Sequence, residues 1–442
     1  MSDFIQQALT LSKQGDGGQP SWVAKLRSSG QAALEAHQFP GRKTEDWKYT
    51  SLRSLEKGDF LTGNLAEQPC SQELLDKLAL IDNLGAKRLV FIDGRISSEL
   101  SDSEFENGVS LIHFNDATDE QAERLSRKIG SITRSDRHLF SALSDALLIG
   151  GLYLHFEKNA LCQQPIQIVY LSTEAELPLL TQQRLFIDVE ANAQATVVEH
   201  FVSADSGDKH FVNGLTEIAL DDNAQLFHYR LHMEQEATIH IGGVHANLAR
   251  SSTLNSFHLG MGSEVKRIDV VINHCGEGAH CELNGVYLPR HKQLIDYHTT
   301  IEHAVPHCTT NEVFRGIVAD QAKAVFNGRI HIHPQAQKTL AMLSNKNLLT
   351  SNKAEVDTKP ELEIYADDVQ CAHGATVAQL EAESMHYLMT RGISRKEAEV
   401  MLSFGFINEI IDKVKHDAIS QYLRPIMAGL FARDPELMRH LV

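Results

Sequence analysis

Residues 355–377 read Glu355-Val-Asp-Thr-Lys-Pro-Glu-Leu-Glu-Ile-Tyr-Ala-Asp-Asp-Val-Gln-Cys-Ala-His-Gly-Ala-Thr-Val377, and more follows from this stretch than from any other. After a polar lead-in, the chain is expected to turn at Lys359-Pro360 and then to alternate apolar and polar residues. Leu362, Ile364 and Ala366 fall on one face of an extended strand, the period-2 pattern. Asp367-Asp368 ends the run. Cys371 and His373 follow at i and i+2, so in an extended chain their side chains share a face, roughly 7 Å apart. A thiol and an imidazole on one face, followed by Gly374, form half of a site for a soft or borderline metal. Two ligands do not close a tetrahedral centre.

A lone Cys-x-His is more often structural, because cysteine is among the most buried residue types. Resemblance decides between the readings. AEVDTKPELEIYADDVQCAHGATV (354–377), with HYLMTRGIS (386–394) after it, resembles the signature of the SufB/SufD family of iron–sulfur cluster assembly proteins. EHAVPHCTTNEVFRGIVADQAKAVFNGRIHIHPQAQKTLAMLSNKNLLTS (302–351) resembles the same family, and GRKTEDWKYTSL (41–52) is similar to the entry motif of its SufD branch. Length and that N-terminal motif favour the SufD over the SufB branch. The resemblance implies a mainly β fold, a right-handed parallel β-helix core with an N-terminal α+β region and a C-terminal helical region.

Working outward, three textures divide the chain of 442 residues. Residues 1–145 mix helical and extended patterns and read as an N-terminal α+β cap. Trp22, Val23, Leu26, Ala33 and Leu34 suit an amphipathic helix ending before Pro40-Gly41, and Arg88–Gly94 reads as a short buried strand entering a turn. Residues 146–378 show strand-like runs at Leu152–Phe156, Ile166–Leu171, Arg184–Val189, Thr196–Phe201, Leu226–Leu231, Asp269–Ile272 and Ala324–Ile332. Ile187-Asp-Val-Glu-Ala-Asn-Ala-Gln194 is echoed by Ile218-Ala-Leu-Asp-Asp-Asn-Ala-Gln225, with equivalent residues 31 apart. Short strands with recurring polar corners fit a stacked solenoid or a large sandwich, and the resemblance selects the solenoid.

Residues 379–442 return to helical periodicity. Ser394 and Glu397 form a capping box, and Val400, Phe404, Ile407, Ile411 and Val414 recur on one helical face, widened by Met401 and Ile410. That face suits packing on the chain's own core. The family implies a second use, because its C-terminal helices dock the SufC ATPase; Phe404, Phe406 and Ile407 are the expected anchors.

Composition narrows the function. With 58 acidic and 41 basic residues the net charge is −17, which argues against nucleic acid and anionic membrane surfaces. The first twenty residues lack a basic region and an apolar core, so no secretory signal is expected, and no run approaches the ~20 apolar residues of a membrane helix. Six irregularly spaced cysteines fit a reduced, cytoplasmic protein. No P-loop, dinucleotide fingerprint or nucleophile elbow occurs, so any ATP is hydrolysed by another subunit.

The 23 histidines offer several decoys. His274-Cys275 with His280-Cys281 fits no common closed zinc spacing. His331-Ile-His333 precedes Pro334 with no third ligand near, and His303, His307 and Cys308 read as a solenoid corner.

The resemblance thus implies a non-catalytic scaffold subunit that pairs with a SufB paralogue, or with itself in isolation, and docks SufC. No permanently bound cofactor is expected. Cys371 and His373 would meet a transient iron–sulfur cluster or iron at the subunit interface, the partner completing the site. Asp367 and Asp368 would raise the cysteine pKa and favour a cationic iron species. Two alternatives stand beside this: a SufB-type subunit holding the cluster itself, and a β-helix enzyme acting on polysaccharide. The latter is disfavoured by two tryptophans and 7 % aromatics.

Overall fold

The computed structural model describes residues 2–13, 19–58, 60, 70–173, 178–204 and 209–431. The 31-residue echo is the pitch of a coil. Ile187 pairs with Ile218 and Val189 with Leu220 in parallel register, one turn apart. Asn192 and Asn223 occupy equivalent corners with φ of 59° and 58°, and Asn159 takes 63° one turn earlier. Asparagine tolerates this left-handed conformation better than most residues. Its side chain adds a ladder along the corner: Asn223 Nδ2 donates to Asn192 Oδ1 at 3.2 Å, and Asn192 Nδ2 to Asn159 Oδ1 at 2.9 Å. Ser251, His307 and Lys338 continue the left-handed corner at 55°, 60° and 59°.

The N-terminal region supplies β1 (Lys87–Ile92), β2 (Arg95–Ile96) and β3 (Val109–His113). The coil then runs β4 (Leu152–Phe156), β5 (Ile166–Ser172), β6 (Leu179–Val189), β7 (Gln194–Ser203), β8 (His210–Leu220) and β9 (Gln225–Met233). It continues as β10 (Ile239–Leu248), β11 (Thr253–Gly260), β12 (Val265–His274), β13 (His280–Tyr287) and β14 (Leu294–His303). The last turns are β15 (Thr309–Val318), β16 (Lys323–Ile332), β17 (Leu340–Leu349), β18 (Glu355–Ile364) and β19 (Gln370–Gln379). From β4 onward successive strands alternate between two parallel sheets, odd-numbered in one and even-numbered in the other. β1 extends the odd sheet beside β5, and β3 closes the even sheet antiparallel to β4. This is the parallel β-solenoid that the sequence, through its resemblance, implied.

Alternation sends every second side chain into the lumen, where Leu226, Leu254, Ile268, Ile295, Phe314 and Phe326 belong to one continuous core. The outer faces are covered too. Helices α1 (Asp3–Ser12), α2 (Ser21–Ala36), α3 (Arg53–Lys57), α4 (Gln72–Ala79), α5 (Asp119–Lys128) and α6 (Leu139–Ala146) lie in the N-terminal region. Leu139, Phe140 and Leu143 of α6 pack with Phe211, Ile239 and Ile241 on the outside of the even sheet. At the other end, α7 (Ala382–Thr390) leads into α8 (Arg395–Ile411) and α9 (Asp417–Phe431), which cover the odd sheet.

The α8 capping box forms as read: Glu397 N–H donates to Ser394 Oγ, and Ser394 N–H to Glu397 Oε2 at 2.8 Å. Val400, Phe404, Ile407, Ile410 and Ile411 are buried along α8, with Val414 buried just past its end. Ile407 shares a core with Tyr229, Val286 and Val313 of the solenoid.

Two expectations need correction. No turn occurs at Lys359-Pro360, since β18 runs straight through both. It is the edge strand of the even sheet, where a proline removes no ladder donor that an inner strand would need, and Pro360 faces Gly328 in register. Ile364 does not share the burial of Leu362 and Ala366 and is 41 % exposed, because no further turn among the described residues covers it.

Candidate functional site

The solenoid ends abruptly. Among the described residues, β18 and β19, each ten residues long, are the unpaired edges of their two sheets. An uncovered edge of that length presents a row of backbone donors and acceptors ready to pair with another chain. Exposed apolar side chains accompany it: Ile364, Tyr365 and Val377.

Cys371 and His373 lie on β19, beside Ala341 and Leu343 of the preceding turn. Both of those neighbours belong to the lumen core, so the cysteine and histidine face the lumen's open mouth. Cys371 is half-buried and packs on that core, whereas His373 is exposed. Burial pushes the Cys371 thiol up, partly offset by the Ala341 backbone. The two aspartates are not among the causes: Asp368 is instead ion-paired with Lys338. A metal would have to displace the Cys371 proton, which a bound cation does readily.

Behind the mouth the lumen is polar. Asn345 donates to Tyr287 Oη at 2.9 Å and accepts from Thr358 at 2.9 Å and Asn347 at 2.6 Å. Deeper, Glu312 is fully buried, accepts from Thr299 at 2.6 Å, and is pushed up to about 7 by burial. Deeper still, Glu199 accepts from Thr216 at 2.8 Å, His228 at 2.9 Å and Arg230 at 3.3 Å. Burial alone would raise the Glu199 carboxyl, but Arg230 and His228 outweigh it and hold it low. Lys266 donates to Glu234 at 2.6 Å. Sequence reading missed this buried chain of charge. The only local signal was the run of histidine and arginine at 228, 230 and 232, spaced by two on a strand.

The other candidates regroup in three dimensions. His274, Cys275, His280 and Cys281 do not converge: Cys275 is exposed, Cys281 lies in the lumen core, and His280 meets Thr309 at 2.7 Å. His274 instead stacks on His303 at 4.3 Å, with Cys308 close by and Thr310 bridging the two rings. His307 is the exposed left-handed corner residue, as its neighbourhood implied. His331 and His333 do have a third ligand near: Glu302, one turn earlier. Among the expected anchors, Phe404 and Ile407 are enclosed within the chain, and Phe406 is half-buried with the Arg315 guanidinium 6.0 Å from its ring.

Comparison with known proteins joins this geometry to a family. Residues 170–406 match the SufBD core domain of the SUF system for FeS cluster assembly, and residues 10–168 match the SufBD protein N-terminal region. The chain belongs to the SufBD family. It is 32 % identical over 385 residues to the iron–sulfur cluster assembly protein SufD of Escherichia coli, covering 87 % of each chain. It is 29 % identical over 427 residues to a SufBD family protein of Synechocystis, covering 95 % of this chain and 93 % of that one. SufD of Bacillus subtilis is 26 % identical over 420 residues, 92 % of this chain and 93 % of its own. These SufBD relatives are assembly proteins by name, so the polysaccharide reading is set aside. Among the described residues, no helix is long and apolar enough to cross a membrane.

Proposed function

We propose that this SufBD protein is a SufD-type, non-catalytic scaffold subunit for iron–sulfur cluster assembly in the cytoplasm. It pairs through its open last turn with a SufB-type paralogue, and with itself when alone. The observation that carries this reading is the placement of Cys371 and His373 on an edge strand whose outer side pairs with none of the described residues. A partner strand laid along β18 or β19 would satisfy that edge and cover Ile364, Tyr365 and Val377. It would also bring its own ligands opposite a thiol and an imidazole, both accepted iron–sulfur donors. Because this chain offers only two, the cluster or iron is held across the interface as transient cargo, and no cofactor stays bound to the subunit. A SufB-type role, holding a cluster alone, fits less well with so open and incomplete a donor set.

The SufC ATPase is proposed to dock on the C-terminal helices. Ile407 acts there by holding α8 on the solenoid, and Phe404 is buried within the chain. The accessible anchors are Phe406 and, on α7, the exposed Tyr387 and Met389.

Co-purification from the native host tests the reading: a SufB-type paralogue and an ATPase should accompany the chain. A His373→Ala complex should assemble but gain iron and sulfide more slowly. Normal loading of that complex removes His373 from the mechanism, and a stable stoichiometric cluster on the isolated chain overturns the scaffold assignment.

A further inference from the structure

Three groups of potential ligands converge among the described residues outside the open mouth, and they differ in one decisive respect. At His232, Glu234 and His240 the place of a cation is taken, because the Lys266 ammonium sits 2.6 Å from Glu234. At His274, His303 and Cys308 the two imidazoles stack with 9° between their planes, and the Nε2 atom of each is already taken up by the Thr310 hydroxyl, at 2.9 and 3.1 Å. All three residues are fully buried. Glu302, His331 and His333 are arranged otherwise. Their rings are tilted by 40°, and His331 Nδ1 and His333 Nε2 aim at one oxygen, Glu302 Oε2, at 2.6 and 2.9 Å.

We propose that Glu302, His331 and His333 form a binding site for a divalent transition-metal ion on the outer face of the even sheet. Two imidazoles and a carboxylate are a donor set suited to zinc or ferrous iron, with the remaining positions left to water. Metal–ligand bonds of ~2.1 Å at tetrahedral angles place neighbouring donor atoms ~3.4 Å apart, so small side-chain movements admit the ion. Each ring then carries its proton on the other nitrogen and presents a lone pair to the metal.

The support around the ligands is already built. Glu302 and His331 are direct register partners on β14 and β16, and His333 N–H donates to the His303 carbonyl at 3.0 Å. Arg329 holds the other carboxylate oxygen, Glu302 Oε1, at 2.8 Å and is itself gripped by both oxygens of Glu363 at 2.9 Å. Such an outer partner fixes a ligating carboxylate without entering the site. Solvent reaches the group, since the side chains of Glu302, His331 and His333 are 21 %, 18 % and 39 % exposed. Hydrogen bonds from His333, Arg329 and His331 also outweigh burial and keep the Glu302 carboxyl low, hence charged.

Co2+ titrated into the full-length chain, followed by visible absorption and competed with Zn2+, tests this. The native protein should bind an equivalent of Co2+ with d–d bands that Zn2+ abolishes. His331→Ala and His333→Ala should each lose that equivalent while melting like the native protein, and Arg329→Ala should weaken it by about 10- to 100-fold. A Cys371→Ser, His373→Ala chain should keep it, which separates this site from the proposed cluster position. Two results overturn the proposal: no equivalent that disappears in folded His333→Ala protein, or an equivalent that disappears instead with Cys371 and His373.

Discussion

Two thiol–imidazole pairs share one lumen and have opposite fates. His303 and Cys308 are fully buried in an inner turn, whereas Cys371 and His373 sit where the coil stops, one half-buried and the other exposed. The residue types are the same. What differs is whether another turn of the solenoid lies over them. Inner turns convert polar side chains into permanent internal pairs, such as Glu199 with Arg230. The last turn leaves its donors and its strand edges for another molecule to complete.

If inner turns are sealed structure, breaking one should be costly. Glu199→Ala leaves the Arg230 guanidinium buried and uncompensated, and should remove about 3–5 kcal/mol of stability in denaturant unfolding. A loss below ~1 kcal/mol would mean that the inner lumen is hydrated and the contrast false.

Glu312 gives a second measure of sealing, through pH. Its carboxyl is raised from 4.5 to about 7, so the folded state binds a proton that the unfolded state has released. Stability from this group is complete below pH 4.5, falls as pH rises through 7, and is flat above. The difference is on the order of 3 kcal/mol, and Glu312→Gln should recover it at pH 8. Identical pH profiles of native and variant protein would show water reaching the lumen at this level.

The corner ladder comes next. Asn223→Val forces a β-branched residue into the left-handed region and should cost about 1–2 kcal/mol, while Asn223→Gly should stay close to native. The open turn should respond least: His373→Ala is expected to change stability by less than ~0.5 kcal/mol, since its side chain is exposed. Thermal melts of both variants place the mouth outside the folding core or return it there.

The same contrast explains what could be read from sequence. The Ile187–Gln194 and Ile218–Gln225 echo was legible because it is the coil's own pitch, with Asn192 and Asn223 marking its two corners. The α8 face and its capping box were legible because they are local. Strands such as β10, Ile-His-Ile-Gly-Gly-Val-His-Ala-Asn-Leu, were not. Polar side chains such as His240 occupy the lumen while helices bury the outer face, so neither side alternates cleanly. Glu302 was invisible as a partner of His331 for another reason: 29 residues separate them, and only the register of the coil makes them neighbours. Cys371 and His373 could be singled out because resemblance marked them, and their exposure follows only from knowing where the coil ends.

The central claim is that the last turn is left open for a partner. Iodoacetamide labelling of the chain as a monomer, verified by light scattering, and of its complex with the SufB-type paralogue tests it most directly, with mass spectrometry reading each cysteine. Cys371 should label in the monomer at or below the rate of an ordinary thiol, given its raised pKa, and become protected in the complex. Cys281 and Cys308 should resist in both. Equal labelling of Cys371 in monomer and complex would contradict the claim.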